Sequence, residues 1–218
     1  MPGKIIILEG LISSGKSTLG RSLERFLNQQ GIKAIFLPEF VNKPLLNLFL
    51  ANPAKYAFTY QICVLRERFH IHLRAMELKR QGYVVIIDRG LSGDLMFALT
   101  QRSNGHINDS EWAVYWATFQ DHLSKCFRPD YVVYLNVTPE IAFQRLKERG
   151  DPEEIKGYDL EYFINLQAHM EQARDLVPGQ NNIKLEWSQA YHTYVDKKIR
   201  YVEAAAIHHF VANIAITA

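Results

Sequence analysis

Glu9-Gly10-Leu11-Ile12-Ser13-Ser14-Gly15-Lys16-Ser17-Thr18 fits the pattern G-x-x-x-x-G-K-[ST] from its second residue on. The apolar, β-branched run Lys4-Ile5-Ile6-Ile7-Leu8 precedes it and reads as a buried parallel strand. Leu19, Leu23, Phe26 and Leu27 follow at helical spacing. A strand, a tight loop and a helix start are the context that phosphate binding needs. Glycines let the backbone curl so that successive N–H groups point inward, and the helix N-terminus adds partial positive charge. In that geometry Gly10, Ser13, Ser14, Gly15 and Thr18 cradle the phosphates of a nucleoside triphosphate. Lys16 reaches the β- and γ-phosphates, and the Ser17 hydroxyl ligates Mg²⁺. The pattern points to nucleotide binding and leaves open which reaction follows.

Beyond this stretch, apolar strand-like runs alternate with helical ones, which predicts a parallel α/β sheet. Strands are expected at 4–9, 33–37, 83–87, 131–135 and 183–187. Helices are expected at 15–30, 43–51, 53–81, 93–101, after a cap at Asp109 or Ser110, 139–150, 158–174 and about 194–215. Trp112, Tyr115, Trp116 and Phe119 recur at helical spacing and read as core. The polar, glycine-broken run Arg149-Gly150-Asp151-Pro152-Glu153-Glu154 reads as a mobile loop between two helices. His208-His209 lacks a third ligand at metal spacing.

The chain has 218 residues, 48% of them hydrophobic, which suits one globular domain spanning 1–218 with a sizeable core. A net charge of +2 and the lack of a long basic stripe argue against a nucleic-acid partner. The two cysteines, Cys63 and Cys126, are far apart and read as reduced thiols. No apolar run approaches membrane-spanning length. The first strand starts by Lys4, leaving no room for a targeting peptide, so a cytoplasmic location is expected.

Ligands of open α/β sheets bind beyond the carboxyl ends of the strands. Three charged groups emerge there: the phosphate loop, Glu39 after the second strand, and Asp88-Arg89 after the third. From position alone, Glu39 is as readily a surface acid as a catalytic base, and Asp88-Arg89 could be a structural ion pair. Arg145 and Arg149, four apart, could be one charged helix face.

Taken together, these residues resemble the deoxyribonucleoside kinase family of P-loop proteins. The resemblance rests on Glu9-Gly10…Gly15-Lys16-Ser17-Thr18, Pro38-Glu39-Phe40-Val41, Tyr56-Ala57-Phe58-Thr59-Tyr60-Gln61, Asp88-Arg89-Gly90, and Arg145…Arg149…Glu153-Glu154 with Leu160-Glu161-Tyr162. It runs in order to about residue 172. It implies a P-loop kinase fold with a five-stranded parallel sheet flanked by helices, a short lid at about 149–157, and a homodimer. It also implies transfer of the γ-phosphoryl group of ATP, with Mg²⁺, to the 5′-hydroxyl of a deoxyribonucleoside. Glu39 would then be the base that takes the hydroxyl proton. Arg89 would hold the 5′ region and the transferring phosphate, and Asp88 would sit near the metal. Arg145 and Arg149 would clamp the donor phosphates and neutralise charge in the transition state. Gln61 would bind the base, Phe97 would stack on it, and Glu154 would help bind the sugar 3′-hydroxyl. Arg68, two helical turns after Gln61, and Asp94 match a pair found in relatives that take purines or deoxycytidine rather than thymidine. An ordinary interhelix salt bridge is the alternative reading of that pair.

The chain also departs from the family. Ser13 replaces a usual glycine, Leu11 an asparagine and Gly90 a serine. Asp151 stands where a further lid arginine is usual, and Leu50 where a tyrosine reads the 3′-hydroxyl. Rival readings are a nucleoside monophosphate kinase such as thymidylate kinase, and a catalytically silent nucleotide-binding subunit.

Overall fold

The computed structural model describes residues 3–126, 128–177 and 181–187. The expected helix at 194–215, with His208 and His209, lies outside them. Five parallel strands form one sheet in the order β2-β3-β1-β4-β5: β1 Lys4–Glu9, β2 Ala34–Leu37, β3 Val84–Asp88, β4 Tyr131–Asn136 and β5 Asn182–Glu186. β1 and β3 lie inside the sheet and are apolar on both faces. Their side chains alternate between two cores: Ile6, Leu8 and Ile86 enter one, and Ile5, Ile7, Val85 and Ile87 the other. Each such burial contributes about 1.5–3 kcal/mol. β5 lies at the edge, and no residue in it is fully buried.

Eight helices are described: α1 Lys16–Gln29, α2 Lys43–Ala51, α3 Pro53–Arg80, α4 Leu91–Ser103, α5 Asp109–Lys125, α6 Pro139–Arg149, α7 Pro152–Gly157 and α8 Leu160–Leu176. Short polar signals delimit several of them. Asn52 ends α2, and its side chain accepts from Lys55 N–H at the start of α3. Thr138 caps α6, Pro139 opens it, and Gly150 ends it in the left-handed conformation (φ 77°). Tyr115 and Phe119 of α5 are fully buried, while Trp112 and Trp116 pack more openly against the same core.

Three elements differ from expectation. Helix α5 is capped by Asn108, not by Asp109 or Ser110, in a reciprocal box with Glu111. Helix α4 begins at Leu91, two residues early, because its cap comes from another element, Glu9 of β1. The run after Arg149, read as a loop, contains α7: the Asp151 side chain accepts from Glu154 N–H and Pro152 opens the first turn. Among the described residues no helix is long and apolar enough to cross a membrane.

Candidate active site

The phosphate loop follows β1 directly. Gly10 (φ 146°) and Gly15 (φ 100°) occupy backbone regions closed to most side chains, and a Cβ on Gly10 would lie 3.0 Å from the Leu135 carbonyl oxygen. Ser13 (φ 57°) is left-handed as well, which explains why glycine is usual there. Lys16 is buried inside the loop, its Nζ donating to the carbonyls of Leu11 (2.7 Å) and Gly10 (3.3 Å) and to Ser14 Oγ (3.4 Å). Burial, and then the neighbouring Arg89 charge, lower its pKa to about 8.

Register places Leu8 opposite Asp88, so β1 and β3 deliver their acids side by side. The Ser17 hydroxyl donates to Asp88 Oδ2. Asp88 Oδ1 is buried and has no hydrogen-bond partner among the described residues. A hydroxyl oxygen and a carboxylate oxygen left short of a partner are hard oxygen donors, so Ser17 and Asp88 fit a Mg²⁺ ion.

Glu9 is one residue to which sequence reasoning assigned no role. It is buried, and its Oε1 accepts from Gly90 N–H (2.9 Å), Ser92 Oγ (2.9 Å) and Gly93 N–H (3.0 Å). It thereby caps α4 from the neighbouring strand and holds the loop that carries Arg89. Its place at the carboxyl end of β1 was legible, but its role depends on a partner 81 residues away. Arg89 itself is left-handed (φ 69°).

Glu39, Arg68, Arg89 and Asp94 form one network. Glu39 Oε1 accepts from Arg68 Nη2 (2.6 Å) and from Arg89 Nε (3.0 Å). Burial by itself would raise the Glu39 pKa; Arg89, Arg68 and Lys16 override it and hold the carboxyl at about 2. Arg89 also donates to the Gly10 carbonyl at 3.0 Å and lies 4.8 Å from the Phe97 ring centroid. Arg68 Nη1 donates to Asp94 Oδ1, so the Arg68/Asp94 pairing is present. Asp94 is fully buried, and its Oδ2 accepts from Gln61 Nε2 (2.9 Å) and Tyr115 Oη (2.8 Å). Gln61 and Arg68 line the cavity, whereas Asp94 stands behind them. Asp94, matched with Arg68 to the pair of purine- and deoxycytidine-taking relatives, is therefore screened from the cavity by the two residues it anchors.

On the lid side, Arg149 pairs with Glu154, and Lys43 of α2 pairs with Asp151 and with Glu154 (3.3 Å). Arg149 and Glu154 face the cavity. Arg145 is buried, donating to the carbonyls of Ser14 and Trp187, both at 3.1 Å. It braces the phosphate loop against the end of β5. Asp151 replaces the usual arginine to cap α7 and hold Lys43. Leu50 does not line the main cavity; it packs on Gly157, where an added Cβ would approach its side chain to 2.7 Å.

These groups surround a cavity of about 570 Å³. Tyr60, Tyr158, Tyr162 and Trp187 also line it; Tyr60 and Tyr162 lie in quoted motifs, but none of the four was given a role from the sequence. Trp187 follows β5 at its carboxyl end, where the same rule that selected Glu39 and Asp88 could have found it. The tyrosines could not be told from core by spacing.

A family model described as "Deoxynucleoside kinase" matches residues 6–205. A deoxyadenosine kinase from Dictyostelium discoideum is 31% identical over 194 residues, covering 87% of this chain and 74% of that protein. A deoxyguanosine kinase from Lactobacillus acidophilus is 31% identical over 160 residues, covering 71% and 67%. A solved structure of deoxyadenosine kinase from M. mycoides with bound dATP superposes with a TM-score of 0.75, covering 96% of this chain and 98% of that one. At 21% identity, that structure speaks for the fold alone.

Proposed function

The chain belongs to the deoxynucleoside kinase family, and from that premise we propose that it phosphorylates a purine deoxynucleoside or deoxycytidine at the 5′-hydroxyl with ATP. The observation that carries this reading is the Glu39 carboxylate, which faces the cavity shared with the phosphate loop and is held ionised by Arg68 and Arg89. An alcohol attacks phosphorus only as its proton leaves. The bond from O5′ to the γ-phosphorus forms, the bond to the bridging oxygen breaks, and the nucleoside diphosphate departs. The hydroxyl proton goes to Glu39.

Gly10, Ser13, Ser14, Gly15 and Thr18 present the donor site, Lys16 supplies its charge, and Arg145 and Arg149 line the cavity beside it. Mg²⁺, held by Ser17 and Asp88, would neutralise charge on the phosphate oxygens. Gln61 and Arg68 meet the base, Phe97 stacks on it, and Glu154 faces the sugar. A base held by Gln61 and by an arginine locked to Asp94 leaves little room for the thymine methyl, so thymidine is disfavoured. A nucleoside monophosphate kinase would need spare cations for the acceptor phosphate, yet Arg68 and Arg89 both serve Glu39. The same reading has the protein act as one catalytic unit and a homodimer in the cytoplasm, without nucleic-acid partners.

A phosphoryl-transfer assay with ATP, Mg²⁺ and the four common deoxynucleosides tests it. Turnover is expected with one or more of deoxyadenosine, deoxyguanosine and deoxycytidine, and loss of turnover in Lys16→Ala. Thymidine as the best substrate, or full activity in Lys16→Ala, overturns the assignment.

A further inference from the structure

Arg68 touches both ends of the site. One side of its guanidinium holds Asp94, and the other holds Glu39 at 2.6 Å. Its Nε is buried and has no hydrogen-bond partner among the described residues, although Arg68 lines the cavity. Asp94 is fixed in turn by Gln61 and Tyr115. A guanidinium is a rigid planar fork, so a pull on one edge turns the other.

We infer that Arg68 is a positioning residue that couples nucleobase identity to the Glu39 carboxylate, so that the bound base sets the rate of phosphoryl transfer and not only the affinity. The inference rests on the reading of Glu39 as base and of Gln61 and Arg68 as base contacts. Tyr115, Gln61 and Asp94 form the fixed end. A base that fits beside Gln61 and Arg68 without displacing the guanidinium keeps the fork seated, and Glu39 keeps both of its arginine partners. A base that crowds the fork turns it. Glu39 is then left with Arg89 alone and is less well aimed at the 5′-oxygen. Orientation of this kind is lost steeply with small displacements.

Single-turnover rates of phosphoryl transfer, measured at saturating deoxynucleoside for all four bases, isolate the chemical step. In the wild type these rates should differ by about ten- to hundredfold between bases, the loss of one charged hydrogen bond. In Arg68→Lys, a compact ammonium on a flexible stem replaces the rigid planar fork, so a turn at one carboxylate is no longer passed on to the other. Its rate with the best base should fall, and the spread of rates should collapse to within about threefold, while Gln61 keeps the KM values apart. A merely structural role would lower all four rates in proportion and leave the spread intact. Arg68→Met serves if the lysine variant does not fold. An unchanged spread in the folded variants overturns the inference. So do equal wild-type rates with only KM differing, which need no variant. If the wild type phosphorylates no deoxynucleoside at all, the functional reading itself fails, a distinct result.

Discussion

At the scale of single residues, the site works by setting charges against one another. Glu39 is a partly buried acid that desolvation alone would push toward neutrality, and three cations keep it ionised. Glu39→Gln keeps the shape but cannot take a proton, so kcat should fall about 10²–10⁴-fold with little change in nucleoside KM. A fall below about tenfold would remove Glu39 as the base. The same residue carries a stability signature. Its folded pKa, about 2, lies below the ordinary 4.5, so its stabilising contribution is complete above 4.5 and is lost as pH falls toward 2. Denaturant unfolding across that range should show a shallower acid decline for Glu39→Gln than for the wild type. Parallel declines would show that the arginines do not hold the carboxylate as described.

Elements reach into one another's ends. Helix α4 has no capping side chain of its own, since Gly90 stands at the N-cap, and β1 supplies Glu9 instead. Glu9→Ala would leave two buried N–H groups and the Ser92 hydroxyl without their acceptor. Each buried unsatisfied group costs about 1–3 kcal/mol, so unfolding free energy should drop by at least about 2 kcal/mol. Glu9→Gln keeps an acceptor oxygen and should recover most of that loss; equal losses in the two variants would refute the cap. Near the cavity mouth, Asp151 caps α7 and pairs with Lys43. Asp151→Ala should cost α7 about 0.5–2 kcal/mol through the lost cap, read as faster amide exchange over residues 154–157. Unchanged exchange would mean that packing of α7 against α2 alone holds the helix.

For the molecule as a whole, the cavity joins residues from Ile12 near the start of the described chain to Trp187 at its end, so ligands should stabilise it globally. Mg²⁺-ATP at a hundred times its Kd should add about 2.7 kcal/mol to the unfolding free energy, and Lys16→Ala should abolish most of this gain. A full gain in that variant would place the triphosphate elsewhere. The layout behind this was readable from residues alone, because the signals are local. Buried β-branched runs mark β1 and β3, Gly10 to Thr18 marks the phosphate loop, and Thr138, Pro139 and Gly150 mark both ends of α6. Chain order then sets which groups emerge at the carboxyl ends of the strands, so Glu39, Asp88 and Arg89 could be named in advance. Pairings across 26 to 131 residues could not. Arg145, expected at the donor phosphates, lines the cavity and also holds the backbone of Ser14 and Trp187, contacts that spacing could not show. Asp94 read as a base contact but sits behind Gln61 and Arg68. Glu9 looked like the end of a strand and proved to be the cap of a helix. Hydrogen-bond partners are chosen by packing in three dimensions, where a buried polar group must take whichever partner the neighbouring element brings within reach.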